Sequence, residues 1–159
     1  MNLKRMRYIF LFLYVVITVL IFCNSLRDAN LSTEQSSGIV KIIENLVMAL
    51  GKKPDTDAIT YSVRKAAHFI EFAAQAGMLG LFFIFTSDIF YNKIIYILFS
   101  GLLTACIDEF LQIFPAGRSS QVSDIFIDFT GAVVAVLVCI LIFNFKRKGR
   151  FGVWMDSGS

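Results

Sequence analysis

Four apolar runs, each close to the length of one membrane crossing, constrain this chain more than any other feature. A hydrocarbon core about 30 Å thick takes roughly 20 mostly apolar residues to cross as a helix. In lipid only a helix or a closed barrel satisfies every backbone N–H and C=O. The runs occupy 8–23, 66–85, 94–114 and 123–145. Composition agrees: hydrophobic residues make up 57% and charged residues 17%, with a mean hydropathy of +0.70, where a soluble domain is about half apolar and a quarter charged. The expected fold class is an all-α membrane protein with four transmembrane helices, one domain over 1–150 and a short tail over 151–159. No feature of the chain points to nucleic acid.

The first run follows a basic leader, Lys4, Arg5 and Arg7, as a signal peptide would. No small-x-small cleavage signal comes after it, and Phe22 before Cys23 does not suit a lipoprotein site, so retention as a helix is expected. Lys and Arg near span ends mark the cytoplasmic side. The leader, together with Lys146, Arg147, Lys148 and Arg150 after the last run, puts both termini inside. The connection 24–65 and the short loop 115–122 are then outside, and 86–93 is inside. In the long outer connection Ile39, Val40, Ile43, Val47 and Leu50 recur at helical spacing, with Lys41, Glu44 and Asn45 opposite. This predicts a short amphipathic helix over 37–50, capped by Ser36 or Ser37 and ended by Gly51. It is too short and too charged to span, and lies either at the membrane surface or as a packing helix over the bundle.

The ionisable residues are placed unevenly. Those of the second run, Arg64, Lys65, His68 and Glu71, come at its start; those of the third, Asp108 and Glu109, come at its end; those of the fourth, Asp124 and Asp128, come again at its start. Successive spans reverse direction, so all three sets fall at the same side of the membrane. Arg64, His68, Glu71 and Gln75 are spaced four, three and four and share one helix face. Asp108 shares a face with Gln112, Glu109 is turned by about 100°, and Asp124, Asp128 and Gly131 share a third face. An unpaired charge at the bilayer centre costs about 2.5–3.5 kcal/mol on insertion scales, so mutual contact is expected. Glu71, Asp108, Glu109, Asp124 and Asp128 outnumber Arg64, Lys65 and Arg118. A bound cation, a protonated carboxyl or a basic ligand group would complete the balance. Structural salt bridges alone are the plainer alternative. Cys23, Cys106 and Cys139 have no metal-ligand spacing and read as packing residues.

Three segments carry a resemblance: Arg64-Lys65-Ala66-Ala67-His68-Phe69-Ile70-Glu71-Phe72, then Asp108-Glu109-Phe110-Leu111-Gln112-Ile113-Phe114-Pro115-Ala116-Gly117-Arg118, then Asp124-Ile125-Phe126-Ile127-Asp128-Phe129-Thr130-Gly131-Ala132. In order and spacing they resemble the motifs of the VanZ-like family. Its Lys-x-x-His-x-x-Glu-Tyr pattern falls on Lys65, His68 and Glu71, with Phe72 in place of Tyr. Its Asp-Glu-x-x-Gln and Pro-x-Gly-Arg elements fall on Asp108, Glu109, Gln112, Pro115, Gly117 and Arg118. Its closing Asp-x-x-x-Asp and Gly-Ala fall on Asp124, Asp128, Gly131 and Ala132. Leu111 stands where many relatives have His, so a mechanism needing two histidines is not supported.

The resemblance implies a small multi-pass protein of the bacterial plasma membrane and cell envelope, in a family whose namesake is associated with teicoplanin resistance. Two readings follow. In the first, Arg64, Lys65, His68, Glu71, Asp108, Glu109, Gln112, Arg118, Asp124 and Asp128 form an outward-facing cluster that binds a lipid-linked cell-wall precursor or a glycopeptide. In the second, an intramembrane enzyme acts on a lipid or wall precursor. There His68 is a general base oriented by Glu71, Asp124 or Asp128 pairs with it or holds a divalent cation, and Arg118 binds a phosphate or carboxylate. Ser119, Ser120 and Ser123 are nearby hydroxyls without a nucleophile motif. No resident cofactor is evident beyond that divalent cation. Membrane lipids are the expected partners, and the oligomeric state is open. A transporter is disfavoured because the ionisable groups stay on one side.

Overall fold

The apolar runs become helices because nothing inside them interrupts the i to i+4 ladder: prolines occur only in the connections, at Pro54 and Pro115. The computed structural model describes residues 3–86, 89–118 and 120–156. Among them are five α-helices and no strand: α1 (Leu3–Ser25), α2 (Ala29–Ala49), α3 (Thr56–Thr86), α4 (Ile94–Leu111) and α5 (Val122–Asp156), with a 3-10 turn at Phe90–Lys93 before α4. Helices α1, α3, α4 and α5 are long and apolar enough to cross a membrane; the chain is a multi-pass membrane protein. Ser87, Asp88, Ser119 and the last three residues of the tail lie outside the described residues.

Several boundaries differ from those read in the sequence, each for a physical reason. Helix α2 starts at Ala29 rather than 37, so Ser36 and Ser37 lie inside it rather than at its start. Its polar first half has weak intrinsic helix propensity, and the helix as a whole packs against α3. Its end behaves as expected. Gly51 takes φ +73°, and the Gly51 and Lys52 amides bond back to Met48 O (2.9 Å) and Val47 O (3.2 Å), a Schellman ending that needs the left-handed residue. Helix α4 stops at Leu111, and 112–114 forms a turn, because the residue before Pro115 is pushed away from helical ψ. Helices α3 and α5 continue beyond their apolar runs at the N- and C-terminal ends respectively.

Helix α3 sits at the centre, packed on α1, α2, α4 and α5, with α5 its most extensive partner. Leu79, Ile84, Phe90, Ile97, Val136, Cys139 and Phe143 form the main buried cluster. Phe12, Val19, Ile95, Phe99, Leu137, Leu141 and Phe145 face outward. In lipid this exposure carries no hydrophobic cost, so helix association rests on close packing and interhelical hydrogen bonds. Small residues supply the first. A Cβ on Gly131 of α5 would overlap the carbonyl oxygen of Phe69 on α3, one on Gly101 would come within 2.8 Å of Ala132 Cβ, and one on Gly80 would strike the Cys139 sulfur. Gly77 differs, with only Ala135 Cβ at 4.0 Å.

Candidate functional site: a charged cluster at one end of the bundle

The close α3–α5 approach at Gly131 determines where the ionisable residues meet. Phe69 neighbours His68 in sequence, and Gly131 lies one turn beyond Asp128, so the contact holds the His68 and Asp128 faces together. His68 Nδ1 is 3.8 Å from Asp108 Oδ2 and 4.0 Å from Asp128 Oδ1, both beyond hydrogen-bond range. Three helices therefore converge on one imidazole. Asp108 is fully buried, Asp128 is 2% exposed, and the His68 side chain is 20% exposed.

The other expected residues divide around this centre. Lys65 forms an ion pair with Asp124 and lies 5.1 Å from the Tyr61 ring centroid. Asp124 is thus committed to Lys65, which corrects the expectation that it could serve His68. Glu71 does not orient His68 either: its Oε1 accepts from Asn24 Nδ2 (3.0 Å). Gln112, at the end of α4, donates to Asp108 Oδ2 (2.7 Å), and the Ser25 hydroxyl contacts Asp108 Oδ1. Glu109 is buried too, its Oε2 accepting the Gln121 amide (2.7 Å). Arg64 lines the cavities described below. Ser123 is exposed, with 3.4 Å contacts to Gln121 and Asp124 among the described residues.

Arg118 reaches the cluster because Gly117 takes φ +74°, turning the loop back after Pro115. Its Nη2 donates to Asn24 O (3.1 Å), and the Ala116 amide donates to Asp28 Oδ1 (3.1 Å). The α4–α5 loop is thereby tied to the α1–α2 turn. Arg118 Nε and Nη1 are buried without a protein partner. Burial, then the nearby Arg64 guanidinium, lowers the Arg118 pKa; Asp108, Glu109 and Glu71 oppose the shift.

Two cavities adjoin this arginine. One, of about 180 Å³, is lined by Asn24, Arg27, Ser36, Ile39, Val63, Arg64, Ala67, His68, Glu71 and Arg118. The other, of about 140 Å³, is lined by Tyr61, Arg64, Lys65, His68, Gln112, Gly117, Arg118, Gln121 and Asp124. Arg64, His68 and Arg118 belong to both. The first brings three guanidinium groups against one carboxylate and has an apolar flank of Ile39, Val63 and Ala67. It can take an anion attached to something greasy.

Sequence reasoning missed the contribution of the first helix. Asn24, Ser25 and Arg27 carry or line the site, yet a search along formal charges passes over the first two. Their signal is a polar pair closing an apolar run. A further polar layer lies beneath them: Gln75 donates to Thr18 Oγ1 (2.8 Å) and Thr104 Oγ1 (3.0 Å), and Tyr14 bonds Ser100 (2.6 Å). Gln75 and Thr104 sit one turn from Glu71 and Asp108 on the same faces, so polarity continues toward the middle of the bundle without ionisable groups.

Compared with known proteins, residues 10–144 match the family model described as VanZ/LLP1. No curated protein and no solved structure matches the chain.

Proposed function

The chain belongs to the VanZ/LLP1 family, and from that premise we propose that its charged end binds the anionic head group of a membrane-embedded envelope ligand. The ligand class is a lipid-linked cell-wall precursor or a lipid-anchored glycopeptide, whose shared chemistry is a phosphate or carboxylate on an apolar anchor. The observation that carries this reading is Arg118, whose Nε and Nη1 are buried and unpartnered at the wall common to both cavities. Nε and Nη1 lie on different edges of the guanidinium, and each offers an unused donor to a carboxylate or phosphate oxygen; charge-assisted bonds of that kind are about twice as strong as neutral ones. An anion there would also offset the repulsion between Arg64 and Arg118.

In this reading the cell is bacterial, the membrane is the plasma membrane and the charged end faces outward. The basic residues at both termini support the orientation. The apolar face of α2, with Ile39 at the cavity edge, gives the ligand's anchor a path from the outer leaflet. A contribution to teicoplanin susceptibility follows if the bound ligand is a glycopeptide or its target.

The test uses full-length protein purified in native-lipid nanodiscs. Mass spectrometry of retained lipids should find an anionic polyprenyl or glycolipid species in the wild type and lose it in Arg118→Ala. Expression in a teicoplanin-sensitive host should alter susceptibility only with Arg118 intact. Unchanged lipid retention and unchanged susceptibility in well-expressed His68→Ala, Glu71→Ala and Arg118→Ala variants would refute the reading.

A further inference from the structure

Beneath the arginine wall the charge balance reverses. Asp108, Glu109 and Asp128 are each at most 2% exposed, and no Lys or Arg of the described residues forms an ion pair with any of them. The cluster's one such pair, between Lys65 and Asp124, lies to the side. Asp128 Oδ2 and His68 Nδ1 are buried without a hydrogen-bond partner. A buried carboxylate left this way forfeits its hydration without compensation, and charge at membrane depth is retained when it faces a partner or a pathway.

We infer that His68, Asp108 and Asp128 form a binding site for one divalent first-row cation of the zinc or manganese type. One ligand atom from each lies within 4.8 Å of the others. Imidazole with two carboxylates is a donor set for zinc or manganese, whereas magnesium and calcium favour oxygen alone. Ligand bonds of about 2.0–2.2 Å place tetrahedral donor atoms about 3.4 Å apart. The present 3.8 Å and 4.0 Å separations from His68 Nδ1 lie within about 0.6 Å of that spacing, and all three donor atoms lie within 4.8 Å of one another.

The surroundings are those of a supported ligand. Gln112 Nε2 and the Ser25 hydroxyl hold the Asp108 carboxylate from α4 and α1, as outer-shell partners orient metal-bound carboxylates. His68 lines both cavities, while its Nδ1 and Asp128 Oδ2 are turned inward and buried. Three ligands from three helices would also pin α3, α4 and α5 together at this end. Cation binding does not depend on the head-group reading, since Arg118 is not a ligand.

The experiment is metal titration of the purified full-length chain in nanodiscs. Zinc and manganese are each added after chelator treatment, and bound metal is counted by elemental mass spectrometry after desalting. The wild type should hold about one equivalent. Outer-shell losses alone weaken metal sites by about 10–100-fold, so His68→Gln and Asp128→Asn should weaken binding by at least the upper part of that range. Asp124→Asn, whose carboxylate belongs to Lys65, and Arg118→Ala, which removes the head-group contact, should keep the metal. Monodispersity and helical circular dichroism verify that each variant is folded. Less than a tenth of an equivalent of either metal in the wild type overturns the inference, as does equal retention by folded His68→Gln and Asp128→Asn. Metal retained by Arg118→Ala with lipid lost separates this site from the head-group site.

Discussion

Replacing Gly131 with alanine tests how the bundle brings the cluster together. The added Cβ would overlap Phe69 O and lie 3.2 Å from Ala73 N, so it meets backbone on both sides. Backbone cannot rotate away as a side chain can, so α5 must retreat from α3. Overpacking costs about 1–3 kcal/mol, and contact with backbone belongs at the upper end. Alanine recovers about 0.8–1 kcal/mol of helix propensity over glycine. The net loss is then about 2 kcal/mol, or a fall of about 4–8 °C in melting temperature for a chain of this size. Gly77→Ala is the matched control on α3: its Cβ would meet only Ala135 Cβ at 4.0 Å, so propensity dominates and the melting temperature should hold or rise by up to about 4 °C. The assay is thermal unfolding in nanodiscs, followed by light scattering and intrinsic fluorescence. Gly131→Ala should also weaken cation uptake, because retreat of α5 widens the 4.0 Å gap between His68 and Asp128. A Gly131→Ala protein as stable as Gly77→Ala would refute this account of the α3–α5 contact.

Asp124→Asn should destabilise the protein by an amount between the roughly 0–1 kcal/mol of an exposed ion pair and the roughly 3–5 kcal/mol of a buried one, and Lys65→Met should recover part of it; additive losses in a double-mutant cycle would contradict the pairing of these two residues. Gln75→Leu should cost only about 1 kcal/mol, since interhelical hydrogen bonds in membranes average about 0.6 kcal/mol and Thr18 and Thr104 keep their own helix carbonyls; a loss above about 3 kcal/mol in thermal unfolding would contradict this. Ala116→Cys should react with a membrane-impermeant maleimide added outside intact cells, and Arg147→Cys only after permeabilisation; the reverse pattern would overturn the proposed orientation.

The parts of the fold legible in the sequence were those governed by the bilayer. The lengths of the apolar runs gave four spanning helices, and their alternation placed His68, Asp108 and Asp128 together, because antiparallel neighbours leave few other options. The match of residues 10–144 bears out the family resemblance seen in the motifs. What stayed hidden depended on tertiary contact. The start of α2 lies in a polar stretch of weak helix propensity, and the division of labour among the acids rests on which helix face meets which neighbour. Lys65 and Asp124 pair because both lie toward the loop end of the cluster. Asn24 and Ser25 were illegible because neutral polar residues at a span end ordinarily face the interface; here they turn inward, to Glu71 and Asp108.

Head-group discrimination by the purified protein tests the central claim most directly. A polyprenyl phosphate and the uncharged polyprenol of the same length can be titrated into nanodiscs holding the full chain, with binding read by native mass spectrometry. Hydrogen bonds to charged groups contribute about 1.5–3 kcal/mol, so the phosphate should bind about 10–100-fold more tightly than the alcohol, and Arg118→Ala should bring the two close to parity. Equal binding of phosphate and alcohol by the wild type, or undiminished discrimination by Arg118→Ala, would contradict the assignment of Arg118 and its two cavities to an anionic head group.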